Sequence, residues 1–352
     1  MEIIEIDGSM GEGGGQILRT SMSLATIFKK PIRITNIRAK RRDPGLKPQH
    51  LQSVLVASRL CGGTVHGAEI GSTSIEFLPG ELNTKYREVI DTGTAGSISL
   101  IAQTIIPISI FGEIDLDVEI RGGTEVSNSP TIDYLNRLML PIYEKLGAEI
   151  NLEIKRRGYY PKGGGVVVLE SSRNKEPSPL EMDTSIPEKI PLNILSVSRL
   201  LPEHVARRQA ESSARILSRH GNGDSEIEMD SSGDSLSPGS SITIYEKSST
   251  TFIGSSSLGE RGKKAESVGE EAALDFLKEI KSTPNVDSHI ADMLVTLLSC
   301  VKGKSRFRTS TLTAHFTTNC EVAKKLTGCE IQVKKSGLSW VVEMDGSPEK
   351  PN

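Results

Sequence analysis

His315 lies in "TLTAHFTTNCEVAKKLTG", residues 311–328, between a β-like run and the start of a helix. The alternation Phe307, Thr309, Thr311, Thr313, His315 has the period of two expected of a strand. Thr318 with Glu321 makes a capping box and Gly328 a stop signal, so the spacing predicts a helix over 318–328. An imidazole at that junction would face the unpaired N–H groups of a helix amino terminus, which attract anions. Three chemical roles are open to it. Metal ligation needs partners, and no HxxxH or HxH motif is present. General-base work needs a neighbouring hydroxyl or water. Nucleophilic attack on phosphorus needs a neutral ring, with cations near the attacked group. A structural side chain at a strand end is the alternative to all three.

A second chemical cluster is "GEGGGQILR", Gly11 to Arg19. Glycines ahead of a helix let backbone approach a phosphate closely. Gly11, Gly13 and Gln16 miss the GxGxxG spacing, and no GxxxxGK[ST] occurs, so a standard dinucleotide or P-loop site is not indicated. A tight strand-to-helix turn would use the same glycines. Glu12 suits a divalent metal, and Arg19, two turns on, suits a phosphate. Arg38, Lys40, Arg41 and Arg42 form a charge run, ordinarily a solvated face, that Pro44, Gly45 and Pro48 constrain before Gln49 and His50 open a helix. "KRRGYYPKGGG" (Lys155 to Gly165) and "KGKSRFR" (Lys302 to Arg308) add basic patches, with Tyr159 and Tyr160 suited to stacking on bases.

The elements that must position these groups recur in order. A strand at residues 2–7, a helix, a strand, a basic loop, a second helix and a strand pair are followed from Tyr86 by the same series. A third copy begins with the helix "VDSHIADMLVTLLSC" and ends in the hairpin around Ser336-Gly337. Three sheets covered by helix pairs predict one large α/β (α+β) body over residues 1–183 and 283–346. Residues 184–282 break the rhythm, reading strand, helix, two strands and helix, and predict a smaller inserted α/β domain; 347–352 is a tail. The loops before the second helix of each copy then converge, bringing "KRRDPGLKPQH", "GGTEVSNSP" and His315 toward one centre.

Composition narrows the partners. The 352 residues carry 25% charged and 4% aromatic side chains and a formal charge of −3, so any polyanion must be met by local basic patches. The four cysteines, Cys61, Cys300, Cys320 and Cys329, form no CxxC, which argues against a disulfide scaffold or zinc site and for a reducing compartment. No run of about 18 apolar residues predicts a membrane span, and the start lacks the pattern of a signal peptide. A soluble, cytoplasmic protein is expected. No feature of the sequence bears on oligomeric state.

"GEGGGQILR", "IRAKRRDPGLKPQHL", "RGGTEVSNSPT", "RRGYYPKGGGVV" and "AHFTTN" together resemble the RNA 3′-terminal phosphate cyclases, in order and nearly end to end. The resemblance implies a three-repeat body, each repeat like the carboxy-terminal domain of initiation factor 3, with a thioredoxin-like insert. It implies ATP, a divalent metal (Mg or Mn) and an RNA ending in a 3′-phosphate as cofactors and partners. His315, the histidine of the HxxTN segment, would attack the α-phosphorus of ATP to form a histidine–AMP adduct. AMP would pass to the RNA 3′-phosphate, and the 2′-hydroxyl would then close a 2′,3′-cyclic phosphate. By the same resemblance Glu12 would hold the metal, and Arg19 and Arg41 would bind phosphates. Gln49, His50, Gln103, Pro130, Asp292 and Met293 would serve the nucleotide. His289 stands where some members have a tyrosine stacked on adenine, which implies a relaxed choice of nucleotide. The same fold includes a silent ribosome-assembly branch without the histidine, and the presence of His315 favours the enzyme. Enolpyruvyl transferases share similar repeats but need more chain.

Overall fold

The computed structural model describes residues 2–182, 191–222 and 225–347. The expected boundary at 183–184 and most of the tail at 347–352 lie outside the described residues.

The first unit is built from β1 (Ile4–Asp7), α1 (Gly15–Ile27), β2 (Ile32–Thr35), α2 (Pro48–Leu60), β3 (Thr64–His66) and β4 (Ile75–Leu78). Its sheet has the order β1-β2-β4-β3, with β1 parallel to β2 and the remaining pairs antiparallel. The second unit repeats that plan. β5 (Lys85–Asp91), α3 (Ile98–Gly112) and β6 (Asp115–Gly122) lead into α4 (Ile132–Tyr134). A π-helical turn, Leu135–Met139, joins α4 to α5 (Leu140–Lys145), and β7 (Ala148–Arg156) and β8 (Gly165–Arg173) close the sheet. Its order, β5-β6-β8-β7, and its strand directions match the first.

Residues from Leu192 onward form a different sheet. β9 (Leu192–Arg199), α6 (His204–Arg219), β10 (Ser225–Asp230), β11 (Gly239–Lys247), β12 (Phe252–Leu258) and α7 (Ala265–Ile280) give the order β10-β9-β11-β12. Three strands therefore follow α6, one more than expected. A separate apolar cluster, running from Leu192 to Phe276, packs that sheet against α6 and α7.

The third unit comprises α8 (Ser288–Leu298), β13 (Lys304–Thr309), α9 (Ala314–Thr327), β14 (Glu330–Ser336) and β15 (Ser339–Asp345), ordered β13-β15-β14. Its missing first strand is present in two pieces. Glu181 bridges Arg306 in parallel as the chain leaves, and Val286 bridges Thr309 in parallel as it returns. The sheet from Leu192 onward is thus threaded through the middle of a strand, and Val286 also bridges Phe252 of β12.

Helices fill the centre. α1 packs on α2, α3, α8 and α9, and every residue from Ile17 to Ile27 is buried. α3 carries no charge over its length, as befits a helix buried on all sides. One boundary differs from expectation. The Thr313 hydroxyl accepts the Phe316 N–H, so α9 starts at Ala314 and the strand stops at Thr309. Thr318 lies inside the helix, its hydroxyl donating to the Ala314 carbonyl. The Thr313 hydroxyl also donates to the Asp292 carboxylate at 2.6 Å, a tertiary contact that sets the cap. Gly328 closes α9 in the left-handed conformation, φ 72°.

Candidate active site

The loop Gly8–Gly14 joins β1 to α1, and its glycines are needed for close approach. Gly11 and Gly13 have positive φ of 53° and 58°, which disfavour any other residue. A Cβ on Gly14 would lie 2.9 Å from the Arg41 guanidinium, and one on Gly15 would lie 2.2 Å from His50 Nε2 and 3.1 Å from Arg19. A Cβ on Gly11 would lie 2.3 Å from the Thr318 hydroxyl. The cluster is therefore more than a tight turn: it lets side chains from three other segments, Arg41 of the basic loop, His50 of α2 and Thr318 of α9, reach one stretch of backbone.

Glu12 stands in the middle of that stretch. Its carboxylate is 3.3 Å from Arg41 and 3.4 Å from His315 Nε2. Lys40 donates to the Gly11 carbonyl at 2.8 Å, tying the basic loop down beside it. His315 occupies the first turn of α9, not a strand end, and its side chain keeps 35% of its exposure. Burial lowers its pKa from the ordinary histidine value, and the nearby charges of Arg19, Arg41 and His289 act the same way against the opposing pull of Glu12. The positive end of a helix also disfavours an imidazolium. The ring is held neutral, with a lone pair available. Among the described residues no three His, Cys, Asp or Glu side chains are arranged to enclose a metal.

The supporting groups lie around this pair. His50 is buried and pushed down to about 3, by burial first and then by Arg19, Arg38 and Lys47. Its Nδ1 accepts the Lys47 N–H at 3.3 Å, so the neutral ring carries its proton on Nε2, facing Gly15. Arg19 is buried, which lowers it to about 10; it remains charged at neutral pH. Arg19 Nε and Gln103 Nε2 both lack a hydrogen-bond partner among the described residues and line, with Tyr143 and Met293, a cavity of about 20 Å³. Asp292, buried and raised to about 7 chiefly by burial, takes the Thr313 hydroxyl, and its carbonyl takes the Asn319 amide at 2.8 Å. His289 is exposed in the first turn of α8.

Glu12, Arg41 and His315 are thus in direct contact, Arg19 and His50 meet at Gly15, and Gln103 and Met293 share a cavity with Arg19. Gln49 is engaged elsewhere: its side-chain oxygen accepts the Ser97 N–H at 2.7 Å, joining α2 to the start of α3. Pro130 is half-buried in the loop before α4. Tyr159 is buried against Gly239, its hydroxyl without a partner among the described residues, so it presents no stacking face; Tyr160 does. Sequence reasoning gave no role in the site to Thr313, Thr20 or Asn319. Asn319 bridges α8 and α1, bonding the Asp292 carbonyl and accepting the Thr20 hydroxyl at 3.0 Å. Its one signal was a polar amide four residues after His315, on the same helical face.

Fold and site together define a mixed α/β protein that sets an uncharged imidazole among guanidinium groups at glycine-lined helix ends, an arrangement suited to handling phosphate. A family model described as RNA 3′-terminal phosphate cyclase matches residues 10–333. Proteins of that name are similar to the chain at 44% identity in Desulfurococcus amylolyticus (100% of this chain, 97% of the relative) and 40% in Pyrobaculum aerophilum (97% and 98%). The corresponding protein of Sulfolobus acidocaldarius is 43% identical over 92% of this chain and 94% of its own. The chain belongs to the RNA 3′-terminal phosphate cyclase family, and is an enzyme. Among the described residues no helix is long and apolar enough to cross a membrane.

Proposed function

We propose that this chain converts an RNA 3′-terminal phosphate to a 2′,3′-cyclic phosphate at the expense of ATP, through a covalent His315–AMP adduct. In the first step the neutral imidazole attacks the α-phosphorus of ATP. An N–P bond forms, the bond to the β-phosphate oxygen breaks, and pyrophosphate leaves. Next an oxygen of the RNA 3′-phosphate attacks the same phosphorus and the N–P bond breaks. Finally the 2′-hydroxyl attacks the 3′-phosphorus, its proton departs, and AMP is expelled as the ring closes.

The observation that carries this reading is the His315 ring held 3.4 Å from the same Glu12 oxygen that Arg41 meets at 3.3 Å, with burial and the neighbouring cations lowering its pKa. Nε2 must be released by Glu12 before phosphorus can approach it, and Arg41 offers Glu12 another partner. Arg19, Arg41 and the Nε2–H of His50 then face the charge that develops on the transferred group, in positions fixed before reaction. Glu12, half-exposed and acceptor-only, fits a divalent ion shared with substrate phosphates, since such ions commonly take one or two carboxylates. When bound, that ion would neutralise triphosphate oxygens. The buried Met293 side chain and the half-buried Gln103 amide suit a base, and exposed His289 leaves one face of such a pocket loosely defined.

We also take residues 184–282 as an inserted domain with its own core, in a body made of 1–183 and 283–346. Four free, buried cysteines suit a reducing, cytoplasmic setting. The deciding experiment is incubation with ATP labelled at the α-phosphate, then denaturation. Acid-labile label on wild type and none on His315→Asn is the expected result. An adduct that survives in His315→Asn, or one that never forms on wild type, rejects His315 as nucleophile and leaves the base or the silent scaffold.

A further inference from the structure

Arg157–Gly165, "RGYYPKGGG", sets two tyrosines and a lysine before a run of three glycines, and the reaction above uses none of it. Most of the segment is anchored. Arg157 is buried against Glu125 and Asp133. A Cβ on Gly239 would sit 2.0 Å from the Tyr159 ring, and one on Gly163 would sit 2.7 Å from the Ala95 backbone. The Lys162 N–H donates to Ser237 at 3.3 Å. What protrudes is the tip. Tyr160 is 81% exposed, and Lys162 is exposed with no acid paired to it among the described residues. A ring this exposed contributes little to the fold. Two residues from the exposed Lys162, on a loop whose backbone is bonded at Lys162 and packed at Gly163, it offers stacking and positive charge from one turn.

The tip also lies at the chemically active end of the repeated plan. The loops 92–97, 123–131 and 157–164 all leave one end of the β5-β6-β8-β7 sheet. The matching end of the first sheet carries Glu12 and Arg41, and that of the third carries Thr313 and His315. Contacts join the two regions. His50 adjoins Gln49, Gln49 accepts the Ser97 N–H, and Thr94 and Ala95 of the same loop lie against Gly163.

We propose that Tyr160 and Lys162 form a landing for single-stranded RNA upstream of its reacting end, the ring stacking on a base and the ammonium meeting a phosphate. This rests on the cyclase reading. Base–aromatic stacking tolerates any sequence, which suits an enzyme reading an end and not a motif. The test is fluorescence anisotropy of the full chain with a short labelled RNA ending in a 3′-phosphate, over a salt series. Tyr160→Ala should weaken binding about tenfold, and Tyr160→Trp should restore it. Lys162→Gln should reduce the slope of log affinity on log salt by about 0.7, the value for one single-strand phosphate. Unchanged affinity in Tyr160→Ala, no rescue by tryptophan, or an unchanged slope in Lys162→Gln overturns the landing. Wild type that takes label from ATP but binds no RNA overturns it also. Failure of the cyclase reading shows separately, as wild type that takes no label from ATP in the absence of RNA.

Discussion

Around Arg157 the structure pairs the buried charges closely. The guanidinium donates to Asp133 through two nitrogens, at 2.7 and 2.9 Å, and to Glu125 at 2.6 Å, with all three side chains under 7% exposed. Burial alone would lower the Arg157 pKa, but Glu125 and Asp133 outweigh it and raise the value. Around His315 the valences stay open. Glu12 is shared loosely between Arg41 and the imidazole, at 3.3 and 3.4 Å, and its side chain is 48% exposed. Both clusters sit at loop ends of sheets built on one plan. A closed cluster holds elements together and has nothing to give a substrate; an open one is poorly stabilising and free to exchange partners. The segment Arg157–Gly165 is anchored largely by the first kind.

That contrast is broken most directly at its two centres. His315→Asn should reduce formation of the AMP adduct to background while the unfolding free energy moves by no more than about 0.5 kcal/mol, as for a partly exposed side chain. Equal losses of both in denaturant titration and labelling would make His315 a structural residue. Arg157→Ala should do the reverse. Leaving Glu125 and Asp133 buried without their cation should cost about 3–5 kcal/mol of stability, read as a lower denaturation midpoint. A change below about 1 kcal/mol there would mean that the cluster is not the closed one its distances describe.

The same contrast explains what was legible in the sequence. Element order was, because apolar periodicity is local, and the two complete sheets appear as read. β12, "FIGSSSL", was missed because its serines erase the alternation. The first strand of the third sheet was missed because Glu181 and Val286 supply it in fragments too short to show a period. Thr313 caps α9 through Asp292, 21 residues away, a contact no local pattern contains. Tyr159 and Tyr160 looked alike, yet one is buried and one exposed. A register shift between Ile154 and Arg156 resets strand parity just before them. The types of residue at the open centre were readable, since glycines, arginines and a histidine near helix starts advertise phosphate. The buried hydrogen bonds that orient them, above all Asn319, were not.

Arg41→Ala sharpens the comparison at an intermediate scale. Its pair with Glu12 is half-exposed, so the stability change should stay under about 1 kcal/mol. Loss of one preorganised donor to developing charge should lower kcat/KM for adduct formation by about 100-fold. A rate within a factor of two of wild type would return Arg41 to the solvated face that its charge run suggested.

The smallest effect tests the openness of the His315 centre by sign alone. Burial, Arg19, Arg41 and His289 depress the imidazole, and Glu12 opposes them. Its folded pKa thus lies below its unfolded value of about 6.5. Between the two, the unfolded chain binds the extra proton, so this group's contribution to stability is complete above the unfolded value and is lost as pH falls through the folded one. Histidine NMR titration, with His315 assigned by its absence from His315→Asn, reads the ring directly and needs no activity. Glu12→Gln should shift the midpoint to lower pH, because it removes the one opposing charge named above. Arg41→Met should shift it to higher pH, because it removes a depressing one. A closed cluster would answer either change with structural rearrangement and no ordered pair of shifts. Movement of both midpoints in the same direction would therefore show that Glu12 and Arg41 act on His315 as a locked unit, contrary to the loose geometry that frees its nitrogen for phosphorus.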